Sequence, residues 1–266
     1  MLDLIVNVGK AGEDSALLRG ALGLARRHQA FLTGLQLVPA YPTLMAENDS
    51  MTELAAAEDR AKARRAWWLE QCRKAGIAGD WEAIRGIPVD TLARRSRLAD
   101  LVLGELPISD PDAPAGFDEI SRALFAEASP MLLVPDVWHG DLLCERVLIA
   151  WNGSGEAAQA VKAALPLLKQ ATAVKVLDGE RTALSGISPP RLPLREWLER
   201  HGIEAQWQPF PSEHDAGREL HDQAKAFHAD LMVMGAWGRS RLSELVLGGA
   251  TRWLLEHATL PLLLAR

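Results

Sequence analysis

Four glycines crowd into the 15 residues from Gly235 to Gly249. They lie in Met234-Gly235-Ala236-Trp237-Gly238-Arg239-Ser240-Arg241 and in Leu247-Gly248-Gly249-Ala250-Thr251. An apolar run, Leu231–Gly235, precedes them and reads as a strand; an amphipathic segment, Ala250–His257, follows and reads as a helix. Glycine is needed where a backbone takes positive φ or approaches a ligand closely. The first amides of a helix lack intrahelical acceptors, and the helix dipole adds positive potential there. Gly248-Gly249-Ala250-Thr251 is therefore suited to a phosphate, with the Thr251 hydroxyl as a further donor and Arg239, Arg241 and Arg252 as nearby charge. The competing reading is a glycine-rich turn used only for tight packing. A P-loop is excluded, because no Gly-Lys-Ser/Thr is present, and the Gly-x-Gly-x-x-Gly spacing of dinucleotide folds is absent too.

Other residue constellations point less far. His214, His221 and His228 recur every seven residues with Asp215 and Asp222 beside them. That spacing puts them on one helix face about 10 Å apart, too far to converge on a metal, so a solvated helix face is expected. Cys72 and Cys144 have no CxxC partner; Cys72, in Trp67-Trp68-Leu69-Glu70-Gln71-Cys72, reads as core filler. Ser154 lacks a nucleophile elbow and reads as the N-cap of the helix after it. Of nine tryptophans, Trp151 and Trp237 flank the glycine-rich segment, where either can stack on a base or simply wall a pocket. Of the others, Trp67, Trp68, Trp81, Trp138, Trp197 and Trp207 read as packing residues. The basic runs Lys62–Arg65 and Arg94-Arg95-Ser96-Arg97 read as solvated helix faces.

The elements that position these residues come twice. Ala99-Asp100-Leu101-Val102-Leu103-Gly104 resembles Ala229-Asp230-Leu231-Met232-Val233-Met234-Gly235 with one inserted residue, and from each of those glycines the chain runs 26 residues to a proline before an apolar strand, Pro130 and Pro261. Leu4-Ile5-Val6-Asn7 resembles Leu148-Ile149-Ala150-Trp151-Asn152. This is a tandem duplication with its seam near Asp136 to Glu145, dividing the chain into residues 1–140 and 141–266. Strands are expected at Leu4–Val8, Phe31–Val38, Trp81–Ile84, Leu101–Gly104 and Met131–Val134. Their partners are Arg146–Trp151, Ala173–Leu177, Ala205–Gln208, Leu231–Gly235 and Pro261–Ala265. Helices are expected at Ser15–His28, Thr52–Ala75, Val89–Arg97, Phe117–Ala128, Glu156–Lys169, Pro193–His201, His214–His228 and Ala250–His257. Gly76 and Gly202 follow basic last turns and read as left-handed helix ends. Short apolar runs alternating with helical segments mean βαβ units, hence an α/β fold with parallel sheets.

Composition narrows the function classes. At roughly 100–200 residues per domain, 266 residues make one large domain or two small ones. A hydrophobic share of 48% and a charged share of 24% are ordinary for a globular protein. The net charge of −6 lacks the basic excess of a nucleic-acid binder. Two cysteines cannot build a disulfide framework or a Cys-rich zinc site. The N-terminal Met1-Leu2-Asp3-Leu4-Ile5 has no basic region before a short apolar run, and no 18-residue apolar stretch occurs, so a cytoplasmic location without a membrane span is expected.

On these residues the sequence resembles the universal stress proteins. Their ATP-binding signature, Gly-x2-Gly-x9-Gly-[Ser/Thr] at the fourth strand, has its spacing kept by Gly235, Gly238 and Gly248. The resemblance covers nearly the whole chain as two copies, the second of them, Arg146–Arg266, being the better match. It implies two Rossmann-like or flavodoxin-like domains, each a five-stranded parallel sheet of order 3-2-1-4-5 with helices on both faces. It further implies an intramolecular pseudo-dimer, paired through Met131–Val134 and Pro261–Ala265, that can dimerise again. For a nucleotide it implies Asn152 (usually Asp) by the adenosine and Val176 on the base. Met234, Gly235, Trp237 and Gly238 match the loop near ribose and phosphates, and Gly248, Gly249, Ala250 and Thr251 the phosphate cradle. Asn152 lacks the charge to help hold a metal. Gly249 stands where the family has Ser or Thr, a lost donor worth about 0.5–1.5 kcal/mol. Counted from Gly104, the first copy has Pro107, Phe117 and Asp118 in place of Gly238, Gly248 and Gly249, with Pro111, Asp112, Pro114 and Gly116 filling the loop, so no nucleotide is expected there.

The expected function is a cytoplasmic stress-response sensor or regulator holding one adenine nucleotide, ATP, ADP or AMP, with or without Mg, in the second copy. No acid–base pair, activated nucleophile or metal cluster is legible, and neither a nucleic-acid nor a membrane partner is expected. The alternatives are slow ATP hydrolysis in the same pocket and a nucleotide-free scaffold.

Overall fold

The computed structural model of the chain describes residues 1–9, 12, 15–41, 48–106, 129–180, 191–211, 215–236 and 249–266. They form two compact units, Met1–Leu143 and Cys144–Arg266. In the first unit β1 (Asp3–Asn7), β2 (Phe31–Pro39), β3 (Gly79–Gly86), β4 (Leu101–Leu106) and β5 (Met131–Pro135) alternate with α1 (Ala16–His28), α2 (Asn48–Ala63), α3 (Arg65–Ala75) and α4 (Pro88–Arg95). In the second, β6 (Arg146–Trp151), β7 (Ala173–Asp178), β8 (Ala205–Pro209), β9 (Leu231–Gly235) and β10 (Leu262–Ala265) alternate with α5 (Gly155–Leu168), α6 (Leu194–Arg200), α7 (Ala216–Ala226) and α8 (Gly249–His257). The strand orders are β3-β2-β1-β4-β5 and β8-β7-β6-β9-β10, the expected 3-2-1-4-5 in each. Every ladder within a unit is parallel. Parallel strands covered on both faces are apolar throughout, and β5 and β10 are buried at every residue. Among the described residues, no helix is long and apolar enough to cross a membrane.

The repeated Ala-Asp-Leu motif has a structural reason. The Asp100 carboxylate accepts from Asp3 N at 2.8 Å, and that of Asp230 accepts from Glu145 N and Arg146 N at 2.7 and 2.8 Å. Each aspartate thus ties the start of its fourth strand to the start of its first. Helix ends also follow local chemistry. The Ser15 and Ser154 hydroxyls each accept from an N3 amide at 3.1 Å. Gly76 and Gly202 sit at φ 70° and 75° after α3 and α6.

Four expectations need correction. The segment 52–75 is two helices, interrupted at Arg64, whose amide bonds Ala61 O three residues back. Arg64 is no solvated charge. Its guanidinium lies 4.6 Å from the Trp67 ring centroid and 5.4 Å from that of Trp81, and it donates to Gly9 O and Gln36 Oε1 at 3.1 Å. The rest of the basic runs is largely ion-paired, Lys62 with Glu58, Arg65 with Asp80 and Arg95 with Glu82. The third helix stops at Arg95 and passes into a single 3-10 turn, Ser96–Leu98. Nor is the histidine face solvated at His221: α7 packs on α8, and His221 is buried at 5% exposure, whereas His228 is exposed. The His221 Nε2 accepts from Thr259 N at 3.3 Å and lies 3.0 Å from Thr259 Oγ1. His228 lies beyond the helix at φ 52°, and His214 falls outside the described residues, as does the expected helix Phe117–Ala128.

Candidate functional site

In the second unit the chain winds from β6 out to β8 and then crosses back to β9, so β6 and β9 flank the point where winding reverses. Open α/β sheets bind ligands in the crevice beyond the carboxyl ends of such strands. Asn152 leaves β6 there, Met234 and Gly235 end β9 there, and Ala150 pairs with Met234 across the switch. Gly249, Ala250 and Thr251 form the first turn of α8. Trp237, Gly238 and Gly248, together with Arg239 and Arg241, fall outside the described residues.

The glycines of this region differ in what they are for. A Cβ on Gly235 would stand 2.5 Å from Ala157 N and 2.9 Å from Glu156 Cβ, so β9 ends directly against the first turn of α5. That is a packing requirement. Gly153 takes φ 72°, and a Cβ on it would meet the Glu180 side chain at 2.6 Å. Gly249 has neither reason among the described residues: none lies within 4 Å of where its Cβ would be, and its φ is outside the left-handed range. Gly249, at the start of α8, is exposed.

The loop after β6 is held by hydrogen bonds. Asn152 Oδ1 accepts from Ser154 N at 3.0 Å, an Asx turn that fixes the amide plane and occupies the oxygen. Trp151 is 4% exposed and its indole nitrogen donates to Glu180 Oε2 at 2.9 Å, so it is a wall of the crevice and not a free stacking surface. Val176 is fully buried in β7, between Ile149 of β6 and Trp207 of β8 in the ladders. Thr251 is 5% exposed, which turns its hydroxyl away from open solvent. Arg252 reaches along its own helix to Glu256 at 3.0 Å instead of over the helix start. Among the described residues no group of three or more His, Cys, Asp or Glu side chains could hold a metal ion.

The ladders give the true correspondence between the copies. Leu4 pairs with Leu101 and Leu32, and Val147 pairs with Leu231 and Val174. The fourth strands therefore start in step, and the counterpart of Gly235 is Glu105, not Gly104; Gly104 corresponds to Met234. Met131 pairs with Val102 and Leu262 with Met232, so the extra residue of the second copy lies after the fourth strand and not inside it. Pro107, Phe117 and Asp118, counted from Gly104, carry that offset and fall outside the described residues, as do Pro111, Asp112, Pro114 and Gly116.

The same correspondence matches Trp81 with Trp207 and Val176 with Gly34. A Cβ on Gly34 would stand 2.6 Å from Trp68 Cδ2 and 2.7 Å from Trp81 Cε3, because indoles already lie on that strand. Glu105, in the glycine position of the first copy, is held above the usual carboxylate range by burial and by Asp136. Glu105 and Asp136 line a cavity of about 300 Å³ together with Ser15, Arg19, Val134 and His139.

Comparison with known proteins bears on this geometry. Residues 144–266 match the model of the Universal stress protein family. The C-terminal half, residues 144–266, therefore belongs to that family. A universal stress protein from Archaeoglobus fulgidus superimposes with a TM-score of 0.71 at 14% identity, covering 100% of this chain and 96% of its own. A putative universal stress protein from Pseudomonas aeruginosa gives 0.60 at 17% identity over 100% and 93%. A second Pseudomonas aeruginosa protein, of unknown function, gives 0.59 at 17% identity over 99% and 92%. At these identities the likeness is one of fold, and it extends over both halves of the chain. No curated protein matches the sequence.

Reading the sequence missed Glu180. It stands two residues past a strand, in no motif, and only the folded loop shows that the indole of Trp151 and the α-carbon of Gly153 both rest on it.

Proposed function

We propose that the C-terminal half of the chain binds an adenine nucleotide and that the protein serves as a stress-response sensor or regulator through the loaded or empty state of that half. The observation that carries this is Gly249. It opens α8 at the carboxyl end of the sheet, and among the described residues neither packing nor backbone conformation calls for glycine. Close approach by a ligand to the helix amides does. In this reading Gly248, Gly249, Ala250 and Thr251 cradle phosphate, Met234, Gly235, Trp237 and Gly238 line the ribose and phosphate path, and Asn152 and Val176 bound the adenosine side.

The donor set fits a nucleotide better than a metal. Asn152 is neutral, so no carboxylate from that position serves Mg, and its oxygen already accepts from Ser154 N. This favours binding without turnover over ATP hydrolysis. The first half takes no nucleotide in this reading, because indoles lie on Gly34 and a carboxyl group replaces the glycine at Glu105. Two buried free thiols, Cys72 and Cys144, accord with a reducing compartment such as the cytoplasm. A scaffold without nucleotide is the second reading, favoured by the complete burial of Val176 and the missing hydroxyl at Gly249.

The test is the small-molecule content of freshly purified protein, released by denaturation and identified by mass spectrometry. Near-stoichiometric ATP, ADP or AMP supports the sensor. No nucleotide, together with no thermal shift in millimolar ATP and magnesium, overturns it in favour of the scaffold.

A further inference from the structure

Three chain segments at the carboxyl end of the second sheet converge on one carboxylate. Glu180 Oε2 accepts from the Trp151 indole at 2.9 Å, and Oε1 accepts from Leu192 N at 3.3 Å. Arg191 Nε stands 3.7 Å from Oε2, and its Nη2 donates to Asp178 Oδ2 at 2.5 Å. Asp178 Oδ1 accepts in turn from Glu180 N at 3.1 Å, and Gly179 N donates to Trp151 O at 2.7 Å. The Glu180 side chain is only 11% exposed and packs against Gly153, where a Cβ would stand 2.6 Å from Glu180 Cγ and where φ is 72°.

This carboxylate therefore touches the residues on either side of Asn152. Its neighbours satisfy it, so it has no need of a ligand contact. A buried, hydrogen-bonded group that clamps a loop from behind sets how precisely the loop presents its polar atoms. We propose that Glu180 is the positioning residue of the second-copy site: by accepting the Trp151 N–H and backing Gly153, it holds Asn152 in the orientation that meets the adenosine. Arg191 and Asp178 hold Glu180 in its turn. The assignment rests on the nucleotide reading above and adds to it a residue that no sequence signature marks.

The test uses the full chain and mant-ATP, titrated by fluorescence, with circular dichroism as the check of folding. Glu180→Ala is expected to weaken mant-ATP binding about tenfold, the scale of losing a charge-assisted hydrogen bond. Glu180→Gln still offers an oxygen to Trp151 and is expected to stay within about threefold of wild type. Trp151→Phe removes the donor and should match Glu180→Ala, with no further loss in the double variant; it also keeps the proposal testable if Glu180→Ala misfolds. Wild-type affinity in a folded Glu180→Ala overturns the positioning role while leaving the nucleotide site standing. Glu180→Gln as weak as Glu180→Ala overturns it as well, since the hydrogen bond to Trp151 would then not be what matters. Failure of wild type itself to bind mant-ATP overturns the nucleotide reading and this assignment with it.

Discussion

Gly235 and Ala157 are in backbone contact: a Cβ on the glycine would stand 2.5 Å from the alanine amide nitrogen. A side chain can rotate away from a collision, but the first turn of a helix anchored by its Ser154 cap cannot. Gly235→Ala is therefore expected to destabilise the protein by about 1–3 kcal/mol, as overpacking does. Urea unfolding measures it. Gly249→Ala, with no described residue within 4 Å, should leave stability nearly unchanged and serves as the control.

Gly249 predicts a gain. The space around it admits a hydroxyl, and the family pattern has one there. Gly249→Ser should tighten ADP or ATP binding by roughly threefold to tenfold, the worth of one neutral hydrogen bond. Isothermal titration of the two proteins side by side decides it; an unchanged affinity would mean that phosphate does not sit on α8.

His221 predicts a pH dependence with a definite sign. Burial foremost, then Lys225 and His257, hold the ring below the ordinary histidine value against the opposing pull of Asp222, while the Trp253 ring packs at 5.6 Å and Thr259 supplies the hydrogen bonds. The folded state thus prefers the neutral ring, whose Nε2 accepts from Thr259 N. Stability from this group is complete above the unfolded histidine pKa and is lost as the pH falls below it. Unfolding free energy should be flat near pH 8 and decline from about pH 6.5 downward. His28 is also lowered by burial and by Arg27, and contributes with the same sign. His221→Gln should remove part of the slope, at a cost of about 1 kcal/mol at neutral pH.

Cys72 predicts inertness. Burial pushes its thiol up to about 11, and its sulfur fills the space beside Gly79. Ellman's reagent should leave it unmodified in the native protein at pH 8 and titrate it rapidly in guanidinium. Cys144, buried as well, should behave alike.

Where each part of the molecule could be read in advance follows from the range of the physics involved. Ser154 as a cap, Gly76 and Gly202 as left-handed helix ends, and the aspartates of the two Ala-Asp-Leu motifs act within a turn or at a strand start. Such preferences are carried by residue type and spacing. Periodicity likewise marked the ten strands, and the duplication carried their order through the family resemblance. Misreadings arose where a distant partner decides. Nothing local distinguishes Arg64 from its exposed neighbours until Trp67 and Trp81 arrive beneath it. His221 looks solvated until α8 covers it. Gly104 looks like the twin of Gly235 until the ladders put Glu105 there.

The sequence by itself determined the class of the fold, its doubling, and a glycine-rich segment after the fourth strand of the second copy. These follow from hydrophobic period and backbone permissiveness, which need no tertiary partner. Only the tertiary structure decided which glycine serves packing, because a Cβ on Gly235 would meet Ala157 N at 2.5 Å while no described residue stands within 4 Å of one on Gly249. It also brought Glu180 under Trp151, a contact between residues 29 apart that exists only once β6 and β7 are paired.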